Sequence, residues 1–316
     1  MTHAPYHPLA GSCDTPFGEL WNGPSHLAYV RRIFNDMADE YDHLRDLWYP
    51  HTFGFIDKVL AGHFVPPRPM KRRPVALDVG CGTGIQSVRL ASLGYSVRGV
   101  DISDRLLKVA RDKLAAAGFR DAKFLPADAQ ALPFPDAIAD CVNCCGPSLN
   151  FVPDWQRAIS EMRRCLKPGG KLLLEVDGKW NFDLFWGIIN AATFDLLGYG
   201  EPLLKSLRHL LPPWRIGHTI NYPFLLESGE TVIMPVRLFT VGEITRALEQ
   251  AGFAPDKRWG NHILTNLIPS VILHRANPGK ALREVFRFLA RMERPIKEHW
   301  PFNAFGASLL ILARKR

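Results

Sequence analysis

From Val75 to Val176 short apolar runs alternate with longer stretches whose apolar positions recur every three to four residues. The first run, Val75–Val79, predicts a buried strand that ends in Gly80-Cys81-Gly82-Thr83-Gly84, and a helix follows through Leu93 with Gly94 as its stop. Tyr95–Ile102 predicts a second strand, then a helix from a Ser103/Asp104 cap to Ala117, closed by Gly118. Further strands are expected at Ala122–Pro126, Asp140–Cys145 and Lys171–Val176. A helix from about Asp154 to Leu166 and a turn at Lys167-Pro168-Gly169-Gly170 separate the last two. Strands alternating with helices at this spacing predict a parallel sheet with right-handed crossovers, covered on both faces.

The flanks read differently. Residues 1–28 are polar and rich in Pro and Gly, a loose arm by composition. From Tyr29 to about Leu60 the pattern is helical, and Pro50 should divide it into two helices. Pro66 to Pro74 is a linker. After Asp177 the alternation stops: Phe182–Leu197 and Leu203–Leu211 predict apolar helices, and Ile216–Leu226 with Thr231–Phe239 a hairpin turning at Ser228-Gly229. Thr240–Ala251 is a helix with a Thr240/Glu243 capping box, followed by strands near Pro255–Gly260 and Ala307–Ala313. The expected organisation is therefore an arm and helical cap over 1–70, a core over 71–177, and an inserted lid with a hairpin over 178–239. The remaining core helix and strands fill 240–316, with a second helical insertion at about 261–305. Ordinary connections between strand and helix run ~2–6 residues, so insertions this long are expected to be functional.

Composition narrows the class. Hydrophobic residues are 47% and charged residues 22% of the 316, which excludes disorder as the main state. No uncharged apolar run reaches the ~18 residues that a bilayer span needs, and the N-terminus lacks the basic and apolar regions of a secretory signal. Six cysteines in so long a chain make no disulfide framework, so a reducing, cytoplasmic setting is expected. Cys141, Cys144 and Cys145 crowd one apolar strand on opposite faces, and no Cys/His pair lies at zinc spacing; we expect inert thiols and no metal. Residues 1–177 carry 21 basic against 20 acidic side chains, and residues 178–316 carry 18 against 11. The excess of the second part suits an anionic ligand or surface without distinguishing between them.

The glycine loop carries the first chemistry. Three glycines at two-residue spacing after a buried strand let the backbone approach a ligand, with the next helix donating N–H groups. A nicotinamide fingerprint needs G-x-G-x-x-G/A, but counting from Gly80 or Gly82 puts Ile85 or Ser87 last. The form Asp78-Val-Gly80-Cys81-Gly82-Thr-Gly84 instead resembles the first motif of class I S-adenosylmethionine-dependent methyltransferases. Gly99-Val-Asp101-Ile102-Ser103, Ala127-Asp128-Ala129-Gln130, Leu166-Lys-Pro-Gly-Gly170 and Phe34-Asn-Asp-Met-Ala-Asp-Glu-Tyr41-Asp42 resemble further pieces of that family in order.

The resemblance covers roughly residues 30–177, 240–260 and 306–316. It implies a doubly wound, seven-stranded, mostly parallel α/β sheet of Rossmann-like type and S-adenosyl-L-methionine as cofactor. Asp101 would accept both ribose hydroxyls, and Asp128 the exocyclic amine of adenine. Asp78, Gly80, Cys81, Gly82, Gly84, Ile102, Ala129, Cys145 and Tyr41 would line the rest of the cofactor site. The turn Cys145-Gly-Pro-Ser-Leu-Asn150 looks like that of small-molecule members, which argues against nucleic acid as substrate. Methyl transfer needs mainly proximity and a dry site, and a base only when the nucleophile holds a proton. Elements able to reach the acceptor are the Tyr29–Trp48 helices, the turns Gly146–Asn150 and Asp177-Gly-Lys-Trp180, and the two insertions. Base candidates are His262 and Tyr41 first, then His26, His43, His218 and Tyr222. The apolar insertion suggests a small, largely apolar acceptor: a lipid, isoprenoid, quinone or aromatic natural product. The competing reading is a cofactor-binding protein of the same fold that acts through its cap. Pro278–Lys297 reads as one helix with Ala281, Leu282, Val285, Phe286, Leu289 and Met292 on one face. Lys280, Arg283, Arg287, Arg291 and Arg294 flank it, a pattern suited to peripheral contact with the inner membrane surface.

Overall fold

The computed structural model describes residues 24–39, 41–43, 46–66, 72–194, 196, 215–226, 231–275 and 277–316. Before the sheet come α1 (Pro24–Asp36), a 3-10 turn (Tyr41–His43) and α2 (Trp48–His63). The core runs β1 (Val75–Val79), α3 (Ile85–Ser92), β2 (Ser96–Asp101), α4 (Asp104–Ala116), β3 (Lys123–Pro126), β4 (Ala139–Cys144), α5 (Trp155–Cys165) and β5 (Leu166–Asp177). Then follow α6 (Asp183–Ala192), β6 (His218–Leu225), β7 (Thr231–Leu238), α7 (Val241–Gln250), β8 (Phe253–Asn261), α8 (Ser270–Leu273), α9 (Lys280–Glu293) and β9 (Ser308–Lys315).

Seven strands form one sheet in the order β3-β2-β1-β4-β5-β9-β8, while β6 and β7 pair as a separate hairpin. β1 through β5 pair in parallel, and β9 runs antiparallel between β5 and β8. This is the seven-stranded, mostly parallel sheet that the resemblance implies. The strand order reverses between β1 and β4, so the crevice opens at their carboxyl ends.

Alternation along the strands divides the core into two layers. Leu77, Val142, Leu172, Leu174 and Val176 pack against α5 and α7. Ala76, Val97, Cys141 and Leu173 pack against α2, α3 and α4. Cys141 and Cys144 thus fall in opposite layers, both buried, and burial pushes their thiols up.

Four expectations need correction. The arm is already helical at Pro24, where a proline opens a helix without losing a hydrogen bond; residues 1–23 lie outside the described residues. The first two helices part before Trp48, not at Pro50, which sits in the first turn of α2 where its missing N–H costs nothing. Lys167–Gly170 is absorbed into β5 as a register irregularity against β4 rather than ending before the strand. The face expected on α9 divides in two. Leu282, Phe286, Leu289 and Ala290 pack inward with Ile268, Leu273 and Trp48, whereas Val285 and Met292 turn outward. The helix expected at Leu203–Leu211 and the hairpin turn at Ser228-Gly229 lie outside the described residues.

Candidate active site

The glycine loop closes over β2. The Gly80 and Cys81 N–H groups donate to the Val100 carbonyl at 2.8 and 3.0 Å, which folds the chain back sharply after β1. Gly80 has φ +68°, and a Cβ there would stand 2.1 Å from Ser148 Oγ, so only glycine lets the loop meet the turn after β4. Gly82, at φ +52°, has nothing within 4 Å of where a Cβ would be. A ligand can approach its backbone there.

Asp101 ends β2 and holds this loop: Oδ2 accepts from Gly82 N at 3.0 Å and Oδ1 from Ser103 N at 2.9 Å. Each oxygen keeps a further lone pair, enough for two vicinal hydroxyl donors. Burial raises its carboxyl above the usual range despite these donors. Asp128 follows β3, and Gln130 steadies it through its backbone N–H at 2.9 Å and its side-chain amide at 2.9 and 3.1 Å. Asp78 lies fully buried below the loop. It accepts from Ser87 Oγ at 2.5 Å and Asn143 Nδ2 at 2.8 Å, yet burial pushes it up to about 6. Cys81 and Cys145 are buried thiols raised by burial, shaping the floor through their bulk and backbone rather than as nucleophiles. Ala129 packs on one core layer, and Ile102 on the cluster under α1.

The 3-10 turn joins this site from the N-terminal side. Thr83 Oγ1 donates to Asp42 Oδ1 at 2.7 Å, and Lys113 Nζ lies 2.6 Å from Asp42 Oδ2. Tyr41 therefore sits beside the glycine loop, and its ring starts an aromatic series through Tyr49 at 6.4 Å to Phe53 at 5.9 Å. The Asp42–Thr83 contact and Asn143 had no signal beyond their place near the motif, so the sequence reading missed both.

His262 does follow β8, at φ +51°, but it is fully buried. Thr52 Oγ1 and Thr265 Oγ1 engage its ring nitrogens at 2.8 and 3.1 Å, and Trp48 stacks on it at 3.8 Å. Burial holds its pKa well below the ordinary histidine value. In this arrangement it packs the joint between α2 and β8 and offers no nitrogen to an acceptor. His26 bonds the Phe151 carbonyl at 2.9 Å. His43 closes the 3-10 turn, and His218 and Tyr222 lie on β6, in the separate hairpin. Among the described residues no group of three His, Cys, Asp or Glu side chains could hold a metal.

Comparison with known proteins matches this geometry. Residues 77–174 match a methyltransferase domain family. A ubiquinone/menaquinone biosynthesis C-methyltransferase, UbiE, of Marinomonas is 36% identical over 172 residues, covering 53% of this chain and 66% of that protein. The UbiE of Proteus mirabilis is 31% identical, covering 71% of this chain and 82% of that protein. A demethylmenaquinone methyltransferase of Staphylococcus aureus is 34% identical, covering 67% and 89% respectively. The chain belongs to the class I S-adenosylmethionine-dependent methyltransferases. Solved structures agree on the fold of this methyltransferase. The [4+2]-cyclase SpnF superposes with a TM-score of 0.56 at 17% identity, covering 92% of this chain and 96% of that one. A possible histamine N-methyltransferase of Thermotoga maritima gives 0.52 at 20% identity, covering 90% and 99%. The methyltransferase uses S-adenosylmethionine, and the open backbone at Gly82 with the two-oxygen acceptor at Asp101 fits that cofactor.

Proposed function

We propose that this methyltransferase adds a methyl group to a ring carbon of a reduced, hydroxylated quinone-type acceptor with an apolar tail. The observation that carries this reading is the likeness to a ubiquinone/menaquinone biosynthesis C-methyltransferase and a demethylmenaquinone methyltransferase, over 82% and 89% of their lengths. The aromatic series Tyr41–Tyr49–Phe53 beside the glycine loop supports it, since such rings suit a planar acceptor. The cofactor supplies an activated methyl group. Asp101 and Asp128 would hold its ribose and its adenine, and the Gly80–Gly84 loop and Tyr41 would line the rest of its site. An acceptor of this kind partitions into lipid, so we place the enzyme at the cytoplasmic face of a membrane, with α9 as its point of contact. No helix among the described residues is long and apolar enough to cross one.

The test is direct. Purified protein with S-adenosylmethionine should add one methyl group to a demethylmenaquinol or benzoquinol kept reduced, and none to the oxidised quinone, whose ring carbon is electron-poor. Mass spectrometry of the extracted lipid reads the product. Cofactor binding without transfer to either quinol would refute the reading.

A further inference from the structure

Four carboxylates stand at or near the carboxyl ends of the central strands, and three accept hydrogen bonds from the protein on both oxygens. Asp78 accepts from Ser87 and Asn143, and Asp101 from Gly82 and Ser103. Glu175 accepts from Gly146 N at 2.7 Å and Ser308 Oγ at 2.6 Å. The fourth, Asp177, is partly buried, and its carboxylate takes no hydrogen bond from the described residues. Its backbone, by contrast, is pinned: its N–H donates to Asn150 Oδ1 at 3.2 Å, and its carbonyl accepts from Phe239 N at 2.9 Å. Asn150, fully buried, also donates to the Arg237 carbonyl at 2.6 Å, so the turn after β4 and the end of β7 hold Asp177 from two sides. In register, Asp177 pairs with Ser308 and Ser308 with Asn261. Alternation along β5 therefore puts its side chain in the layer of Leu173 and Glu175, the one α2 covers. That layer also holds α4, whose Lys113 pairs with Asp42 of the Tyr41 turn.

We propose that Asp177 is the proton acceptor for the ring hydroxyl of the substrate, an assignment that rests on the acceptor being a hydroxylated ring. The hydroxyl O–H bond breaks and the proton passes to Asp177. The ring carbon beside it forms a bond to the methyl group as the methyl–sulfur bond breaks, the electron pair staying on sulfur. The ring C–H proton then leaves to water, and Asp177 returns its proton to the oxygen. One proton is released per methyl transferred.

The surroundings favour a basic carboxylate. Burial, and then Glu175, raise Asp177 well above the usual carboxylate range. Lys179, two residues on, and Arg237 on β7 are engaged elsewhere: Lys179 Nζ donates to the Ile216 carbonyl at 3.0 Å and Arg237 to Glu243 at 2.5 Å. From β8 and β9 the facing groups, Asn261 and Ser308, are neutral.

Two measurements on Asp177→Asn test this. With S-adenosylhomocysteine present, a nitrophenol probe bound to the wild type should show its phenolate absorption below the pH at which it ionises in water. The Asn variant should not show it, while it binds S-adenosylhomocysteine within about threefold of wild type. In turnover, kcat on the quinol should fall by ~100-fold or more. Wild-type activity should rise with pH through one ionisation that the variant lacks, and the loss should shrink on acceptors whose hydroxyl is already ionised. Equal phenolate signals, or an unchanged pH limb with near-normal kcat, would overturn Asp177 alone. A wild type inert on every quinol would overturn the acceptor reading beneath it.

Discussion

At the scale of single residues, what decides a role is which lone pairs and protons the neighbours leave over. Asp101 keeps one lone pair on each oxygen beyond its bonds to Gly82 and Ser103. Asp101→Ala should weaken S-adenosylhomocysteine binding by about 2–4 kcal/mol, the loss of two charge-assisted hydrogen bonds. Its carboxyl is raised by burial, so affinity should also fall on acidification, earlier than an ordinary carboxylate would dictate. Calorimetry across pH checks both, and unchanged affinity in the variant would remove Asp101 from the site. The same accounting separates His262 from Asp177. The sequence shows a histidine after a strand and an aspartate at a turn, and by residue type the histidine is the better base. Only packing reveals that Thr52 and Thr265 engage the imidazole nitrogens while the carboxylate remains open. Motif residues were legible because their spacing is itself the signal. Orphaned or satisfied atoms depend on contacts between segments far apart in sequence, and no local pattern reports them.

Between elements, Glu293 is the joint. It ends α9 fully buried, and its Oε2 accepts from the Ile263, Leu264 and Thr265 N–H groups at 3.0, 3.0 and 3.1 Å. Its Oε1 meets His51 at 2.9 Å and Lys297 at 3.0 Å. The loop held in this way continues to Asn266, whose amide donates to Asp183 at 3.0 Å at the start of α6. One carboxylate thereby ties α9, α2 and the inserted helix together. Burial alone would raise Glu293, but His51 and Lys297 outweigh it and hold its pKa far below the usual range. A depressed carboxylate contributes stability that is present above the unfolded-state value, about 4.3, and is lost as pH falls towards the folded one. Glu293→Gln should cost about 3–5 kcal/mol, since it leaves Lys297 buried without its counter-charge. Denaturant titrations from neutral to acid pH should show the wild type losing stability below about pH 5 and the variant losing less there. Equal slopes would mean that the carboxylate is not ionised in the folded state. Helix and strand periods gave away nearly every element of the core. The joint was hidden because Glu293 looks like one more charge on a charged helix.

For the whole molecule the question is where the sheet would meet an acceptor with an apolar tail. α9 answers with a surface that folding leaves uncovered. Val285, Phe288 and Met292 recur at three- and four-residue spacing and stay 50, 61 and 51% exposed, with Trp300 just beyond at 82%. Lys280, Arg283, Arg287, Arg291 and Arg294 are exposed beside them, and Glu284, paired with Arg287, is the one exposed acid in their midst. An apolar stripe edged by cations complements an anionic bilayer: the stripe would enter the acyl boundary while the arginines would stay among the head groups. A second copy of the chain would bring the same positive charge to the contact. Each cation near an anionic surface contributes about 1 kcal/mol. Replacing Arg283, Arg287 and Arg291 by Gln should therefore weaken binding to phosphatidylglycerol vesicles by about 3 kcal/mol, on the order of 100-fold. Co-sedimentation should also fall with salt. Phe288→Ser with Met292→Ser should weaken binding while keeping the salt dependence, because it removes the buried area and leaves the charge. If the wild type stays in the supernatant with anionic vesicles at low salt, the arginines are simply solvated. The acceptor must then reach the crevice through water, and detergent-dispersed quinol should be methylated as fast as quinol held in vesicles.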